Sequence, residues 1–241
     1  MSIWGSLIGG MIGLSLGGPF GMLLGSIFCG KISRARAHGG FSAIGQSQKI
    51  FALSLIVLSA KLSKADGQVS REELIAVKDK LKIPENELDE VGKIFNRAKE
   101  ESTGYEPYAQ QIAQFYKGNL NVLEEVINIL FYIAESDGNV SLEETKMIEN
   151  IAYIFGLSET QYNSIKESRK SSEKLNPYMV LESSADDDLK TIRKRYLKLS
   201  KEHHPDLLLS KGVPQEVIEE SKKTMRAINS AWDQVQKLKK N

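Results

Sequence analysis

The chain has 241 residues, enough for two small domains or one larger one. Six prolines and 26% charged residues fit a mostly helical globular protein, and the single cysteine, Cys29, excludes an intrachain disulfide and suits a reducing compartment. The net charge of +1 hides a segmentation. Residues 1–45 carry three basic groups and no acid, residues 46–176 carry 16 Lys and Arg against 21 Asp and Glu, and residues 177–241 carry 13 against 10. An acidic module beside a basic one predicts different partners for the two, or a contact between them.

The first 30 residues contain no ionisable side chain, and they are rich in Ile, Leu, Met and Phe. A bilayer needs about 20 apolar residues, so residues 1–30 predict a transmembrane helix. No basic segment precedes the run, which argues against a cleaved signal peptide. The positive charges follow it at Lys31, Arg34 and Arg36, and the first acid is Asp66. By the positive-inside rule the N-terminus lies outside and the bulk of the chain in the cytoplasm. Gly5, Gly9, Gly13, Gly17, Gly21 and Gly25 recur at every fourth position. In lipid such a stripe lets two helix backbones pack closely, which predicts a homodimer through this helix. Gly17-Gly18-Pro19 allows either a kinked span or a shallow hairpin. Residues 31–47 read as a linker of small, Gly-containing sequence, with His38 an ordinary surface histidine.

Residues 48–169 contain an internal repeat. Asp66-Gly67-Gln68-Val69-Ser70 is echoed by Asp137-Gly138-Asn139-Val140-Ser141, with Glu72 and Glu73 matching Glu143 and Glu144. In each copy an apolar helix ends at Asp-Gly, where Gly accepts the left-handed closing geometry. Ser then caps the next helix, and Glu three residues on completes a capping box. Further helical segments run over 85–99, 108–117, 120–135, 142–155 and 159–166, with Tyr105 to Tyr108 as a loop between helices. The expectation is an all-α bundle of about seven helices. Capping accounts for Ser70, Glu73, Ser141 and Glu144. Asp66, Glu72, Asp137 and Glu143 form a candidate acidic ligand site if the copies face each other. The oxygen ligands of an EF-hand loop at alternating positions are absent, and no metal is assigned.

After a polar linker over 170–176, residues 177–241 open with the short apolar segment Pro177 to Leu181. Asp186, Asp187 and Asp188 bring caps and negative charge to the start of the next helix. Leu189, Ile192, Tyr196 and Leu199 form one apolar stripe on it, and Lys190, Arg193, Lys194, Arg195, Lys198 and Lys201 fill most of the other face. Pro205 stops that helix and leaves His204-Pro205-Asp206 in an irregular loop. A long loop over 207–213 leads to a last helix starting near Pro214.

This order resembles the J-domain, the module by which co-chaperones act on Hsp70. The matching residues are Tyr178 and Leu181, then Ile192 to Leu199, then His204-Pro205-Asp206, then Ile228 to Trp232. The resemblance implies that His204, Pro205 and Asp206 trigger ATP hydrolysis by Hsp70, and that Arg193, Lys194, Tyr196 and Lys198 form the docking face. Glu182 stands where the family has Gly, Leu197 where a basic residue follows the Tyr, and Leu207 where Lys often follows the Asp. The middle segment resembles the TerB-like domain, built on two Asp-Gly helical pairs. A Gly-rich anchor, a TerB-like segment and a J-domain, in that order, resemble the DjlA-type membrane co-chaperones.

The chain has no G-x-S-x-G, no phosphate loop with Lys and no H-E-x-x-H, so no enzyme activity and no cofactor is expected. His203 and His204 are adjacent and make a poor metal pair. Stacking aromatics are missing from the basic helix, and the middle is acidic, which argues against nucleic acid. The sequence thus predicts a membrane-anchored co-chaperone that recruits a cytoplasmic Hsp70 of the DnaK type. Its alternative is a membrane scaffold or envelope-stress adaptor acting through the acidic bundle.

Overall fold

The computed structural model describes residues 17–28, 43–64, 71–80, 82–136, 138, 140–170, 175–215 and 218–239. Among the described residues there is no strand. Twelve α-helices follow one another: α1 Gly18–Phe28, α2 Ala43–Leu62, α3 Arg71–Lys80, α4 Leu88–Glu100, α5 Glu106–Phe115, α6 Leu120–Ala134, α7 Leu142–Ile154, α8 Glu159–Ser168, α9 Pro177–Val180, α10 Leu189–Glu202, α11 Pro205–Ser210 and α12 Ile218–Leu238.

Two helices set the centre of the bundle. From Ile50 to Leu62 every residue of α2 is buried, and α6 is buried from Val122 to Phe131. Both read as apolar nearly all round, which is the pattern of a helix enclosed on every side rather than one at a surface. The amphipathic helices α4, α5, α7 and α8 close over them with one face each, through Ile94, Ile112, Ile151 and Ile165. Some of the polar groups enclosed with them are satisfied within the chain, whereas Ser59 Oγ and Asn128 Nδ2 are buried without a hydrogen-bond partner among the described residues. Ser54 Oγ donates to the Ile50 carbonyl at 2.7 Å, and Lys61 Nζ donates to the carbonyls of Glu101 and Thr103 at 3.2 and 2.5 Å.

The capping box expected at Ser141 is present: the Glu144 N–H donates to Ser141 Oγ at 3.1 Å, and the Ser141 N–H donates to Glu144 Oε2 at 2.8 Å. A second capping box, Ser158 with Gln161, starts α8. The first copy of the turn, with Asp66 and Ser70, lies outside the described residues, as does Asp137. Tyr105 to Tyr108 is not a loop. Pro107 sits in the first turn of α5, where its missing N–H costs no hydrogen bond.

The transmembrane expectation needs correcting where it can be followed. Residues 18–28 form a helix of 11 residues, and Phe20 and Leu23 are buried in the bundle core. Phe20 meets the Tyr108 ring edge-to-face at 5.0 Å. The turn into α1 takes φ of +54° at Gly17 and +59° at Gly18, which glycine adopts without strain. It is fastened by Gln111 on α5, whose amide accepts from the Phe20 N–H at 3.2 Å and donates to the Gly17 carbonyl at 3.1 Å. A Cβ on Gly18 would stand 3.0 Å from that amide, so Gly18 serves an approach within the chain, whereas a Cβ on Gly17 of the stripe would meet nothing within 4 Å. Gly5, Gly9 and Gly13 lie outside the described residues. Among the described residues, no helix is long and apolar enough to cross a membrane. Residues 43–47, expected in a linker, belong to α2.

The C-terminal helices build a smaller core of Leu175, Val180, Leu181, Ile192, Leu199, Ile228, Ala231 and Val235. They do not stand apart from the bundle. Leu208 on α11, Val213 and Ile218 at the start of α12 are buried in the larger core. One helix, α12, therefore enters both cores, and α11 packs beneath the bundle.

Candidate functional site

The basic helix α10 begins at Asp188, whose carboxylate accepts from the Thr191 N–H at 2.6 Å. Ile192 and Leu199 point into the small core, whereas Leu189, expected in the same stripe, is 40% exposed at the first turn. Of the four docking candidates, Arg193, Lys194 and Lys198 are exposed. Lys198 lies 3.9 Å from Glu202 one turn on. Tyr196 differs from them: its ring stacks on Trp232 at 5.0 Å with an interplanar angle of 8°, and its hydroxyl donates to Asn229 Oδ1 at 3.2 Å. It holds α10 to α12. Arg195, from the same basic run, is also structural, bonded to the Glu182 carbonyl and to Asp187 at 2.9 Å.

The helix ends at Glu202, and the expected irregular loop is a helix start. Pro205 takes the first position of α11, where its fixed φ suits a helix, and His204 is the N-cap. The Asp206 N–H donates to His204 Nδ1 at 3.2 Å. The two candidate side chains stay open: His204 is 55% and Asp206 87% exposed. Leu207 to Ser210, expected in a loop, continue the helix because Leu208 inserts into the bundle. His204 and Asp206 thus sit at the start of α11, and Arg193, Lys194 and Lys198 are exposed on α10 before it.

Sequence reading missed what lies behind this turn. His203, one residue before His204-Pro205-Asp206, is buried, and its Nε2 lies 3.3 Å from Oε2 of Glu124 on α6. Glu124 Oε1 accepts from Gln161 Nε2 of α8 at 2.8 Å. Asn121, one turn before Glu124, donates from Nδ2 to the Glu202 carbonyl at 3.0 Å. Burial pushes the Glu124 carboxyl up to about 8, and burial pulls the His203 imidazole down to about 4. At neutral pH both are therefore uncharged, so the contact is between an acid and an imidazole rather than an ion pair. The other ring nitrogen, His203 Nδ1, is buried with no hydrogen-bond partner. The signal that would have found Glu124 was present: Glu124 and Glu125 interrupt an otherwise apolar helix, and buried carboxylates are rare without partners.

The acidic ligand site is not assembled among the described residues. Glu143 is exposed beside a cleft lined by Lys61, Lys64 and Lys146. Glu72 lies on α3, while Asp66 and Asp137 fall outside the described residues. No group of three or more His, Cys, Asp or Glu among the described residues is placed to hold a metal ion.

A separate cleft of about 540 Å³ opens between α3, α6, α8 and α12. Its wall includes Asp79, Asn128, Tyr132, Ser136, Arg169 and Lys223. Arg169 is pinned to Glu135 through two contacts of 2.7 and 2.6 Å. Lys80 and Lys223 approach the Tyr132 ring at 4.4 and 5.0 Å.

Comparison with known proteins adds to this geometry. Residues 52–167 match the family model described as tellurite resistance protein TerB. Among curated proteins, the co-chaperone protein DjlA of Photobacterium profundum is 24% identical, covering 98% of this chain and 99% of its own length. Those of Vibrio parahaemolyticus and Escherichia coli K12 are 26% and 23% identical, each covering 99% of both chains. No solved structure matches. The chain is similar from end to end to the co-chaperones named DjlA, and the segment between residues 52 and 167 is the part of it that matches TerB.

Proposed function

We propose that the chain is a co-chaperone whose C-terminal helices act as a J-domain on an Hsp70 of the DnaK type. One observation carries the reading: His204 and Asp206 are open at the start of α11, and the cations Arg193, Lys194 and Lys198 of the preceding helix α10 are exposed. His204, Pro205 and Asp206 stimulate ATP hydrolysis by the partner. The three cations dock on an acidic surface of it, where long-range charge speeds encounter. Tyr196 keeps a place in the docking face through its stack on Trp232, by fixing the helix that carries the charges.

The test is steady-state ATP hydrolysis by a bacterial Hsp70 with the whole chain and with His204→Gln. The whole chain is used because α1 and α2 belong to the bundle core. Stimulation by the parent and none by the variant is the expected result. No stimulation by the parent would end the co-chaperone reading.

Membrane attachment rests on the sequence, whose first 30 residues carry no ionisable side chain. A span through them would draw α1 out of its seat in the bundle, so the attached form differs from the one in which Phe20 and Leu23 are buried in the core. Sedimentation of the whole chain with membranes, resistant to carbonate extraction, is the expected result.

A second reading is favoured by the cleft beside α3, α6, α8 and α12. Asn128 is buried there, and its Nδ2 has no hydrogen-bond partner. If the chain is an adaptor acting through that cleft, His204→Gln leaves its cellular function intact.

A further inference from the structure

We infer that Glu124 of the bundle is a positioning residue for the His204-Pro205-Asp206 turn, held through the buried imidazole of His203. This rests on the co-chaperone reading for its function, but its geometry is independent of that reading. Three contacts fasten the end of α10 to the bundle from one side. Glu124 Oε2 lies 3.3 Å from His203 Nε2, Asn121 Nδ2 donates to the Glu202 carbonyl at 3.0 Å, and Leu208 inserts into the larger core. The last carbonyls of a helix have no partner within it, so the Asn121 contact satisfies one of them. His204 itself has no part in the anchorage and stays exposed between two fixed neighbours, His203 and Pro205.

The arrangement points to support rather than to inhibition. A contact that blocked partner binding would cover the trigger or the cations. Here the buried side of the turn faces the bundle, His204 and Asp206 are exposed, and so are Arg193, Lys194 and Lys198 on the preceding helix. Held this way, the turn meets its partner without first being ordered, a cost that would otherwise be subtracted from binding.

The support has a chemical limit. Glu124 and His203 hold together as neutral groups, since a carboxylate here would be enclosed with Glu182 from the turn after α9 and Glu202 from α10. Lys198 of α10 and the neutral amide of Gln161 on α8 are the groups that offset them. Glu124 faces His203 from the bundle. Ionisation of Glu124 at alkaline pH therefore loosens the turn.

The experiment is amide hydrogen exchange over residues 203–213 of the whole chain, expressed as protection after correction for the intrinsic pH effect. It is measured at pH 7 and pH 9 for the parent, Glu124→Ala and Glu124→Gln, alongside Hsp70 stimulation by each. Glu124→Ala should lower protection in this segment about tenfold, the effect of stranding one buried polar partner, while α4 and α7 stay protected. The same variant should require a several-fold higher concentration for half-maximal stimulation. Glu124→Gln keeps a polar partner without a titrating proton, so it should match the parent at pH 7 and lack the parent's loss of protection at pH 9. Equal protection in the parent and Glu124→Ala overturns the inference. Lower protection in Glu124→Ala with no stimulation by the parent supports the positioning and overturns the co-chaperone reading instead.

Discussion

Glu182 shows how one residue can record a family pattern and depart from it. It follows Leu181, where the resemblance calls for Gly, and it adopts φ +51°. An L-residue in that region costs about 1–2 kcal/mol, because its Cβ crowds the following carbonyl. The conformation is imposed from outside, since Arg195 of α10 bonds the Glu182 carbonyl and the Ser183 N–H donates to the Tyr178 carbonyl at 2.8 Å. Burial also raises the Glu182 carboxyl above its usual range, with Glu202 adding to the effect. Glu182→Gly should therefore raise the stability of the whole chain by about 1 kcal/mol in urea unfolding, after the added freedom of the unfolded Gly is subtracted. The departure from Gly was legible in the sequence, but the left-handed backbone was not, because it is set by a partner 13 residues away. Lys61 makes the same point: its charge reads as surface, yet three backbone and side-chain oxygens of residues 101–103 enclose it.

At the scale of elements, most helices were readable. Apolar period and caps placed α4, α6, α7, α8 and α10 within a few residues of where they lie, because those signals are local. Errors fell where a distant surface decides the outcome. Pro205 reads equally as a stop and as a helix start, and only the seat for Leu208 in the bundle selects the start. Residues 18–28 read as lipid-facing because a membrane and a protein core demand the same composition. The proposed trigger was legible as a motif, since His204-Pro205-Asp206 is contiguous in the chain. Its support was not, since Glu124 lies 79 positions from His203. If α11 is held by the bundle, Leu208→Ala should cost about 2–5 kcal/mol of stability, whereas Leu197→Ala, at a site 55% exposed, should change it by less than about 0.5 kcal/mol. Chemical denaturation followed by helicity separates the two.

At the scale of the molecule, the shared helix α12 and the Glu124–His203 contact tie the two cores into one unfolding unit. The contact gives that unit a pH profile. Folded Glu124 keeps its proton up to about pH 8, whereas the unfolded chain releases it near 4.5, so stability falls as pH rises between these values. Folded His203 refuses a proton down to about pH 4, whereas the unfolded chain takes one near 6.5, so stability falls as pH drops through that window. The two slopes cancel between about pH 4.5 and 6.5, and the Glu124 slope alone remains from about 6.5 to 8. Thermal melts should therefore show a lower Tm at pH 8 than at pH 6, and Glu124→Gln should remove most of that difference.

The seat of α1 sets an order of events during synthesis. Phe20 and Leu23 pack against α4 and α5, whose residues begin about sixty positions downstream. At about 5–20 residues per second, the ribosome needs several seconds to supply them. Throughout that interval the apolar side of α1 has no protein surface to cover it, and a bilayer near the ribosome competes only with water. If the chain is attached to a membrane as proposed, whether α1 ends in lipid or in the bundle is a race settled while the chain is being made, and slowing translation between residues 28 and 88 favours lipid.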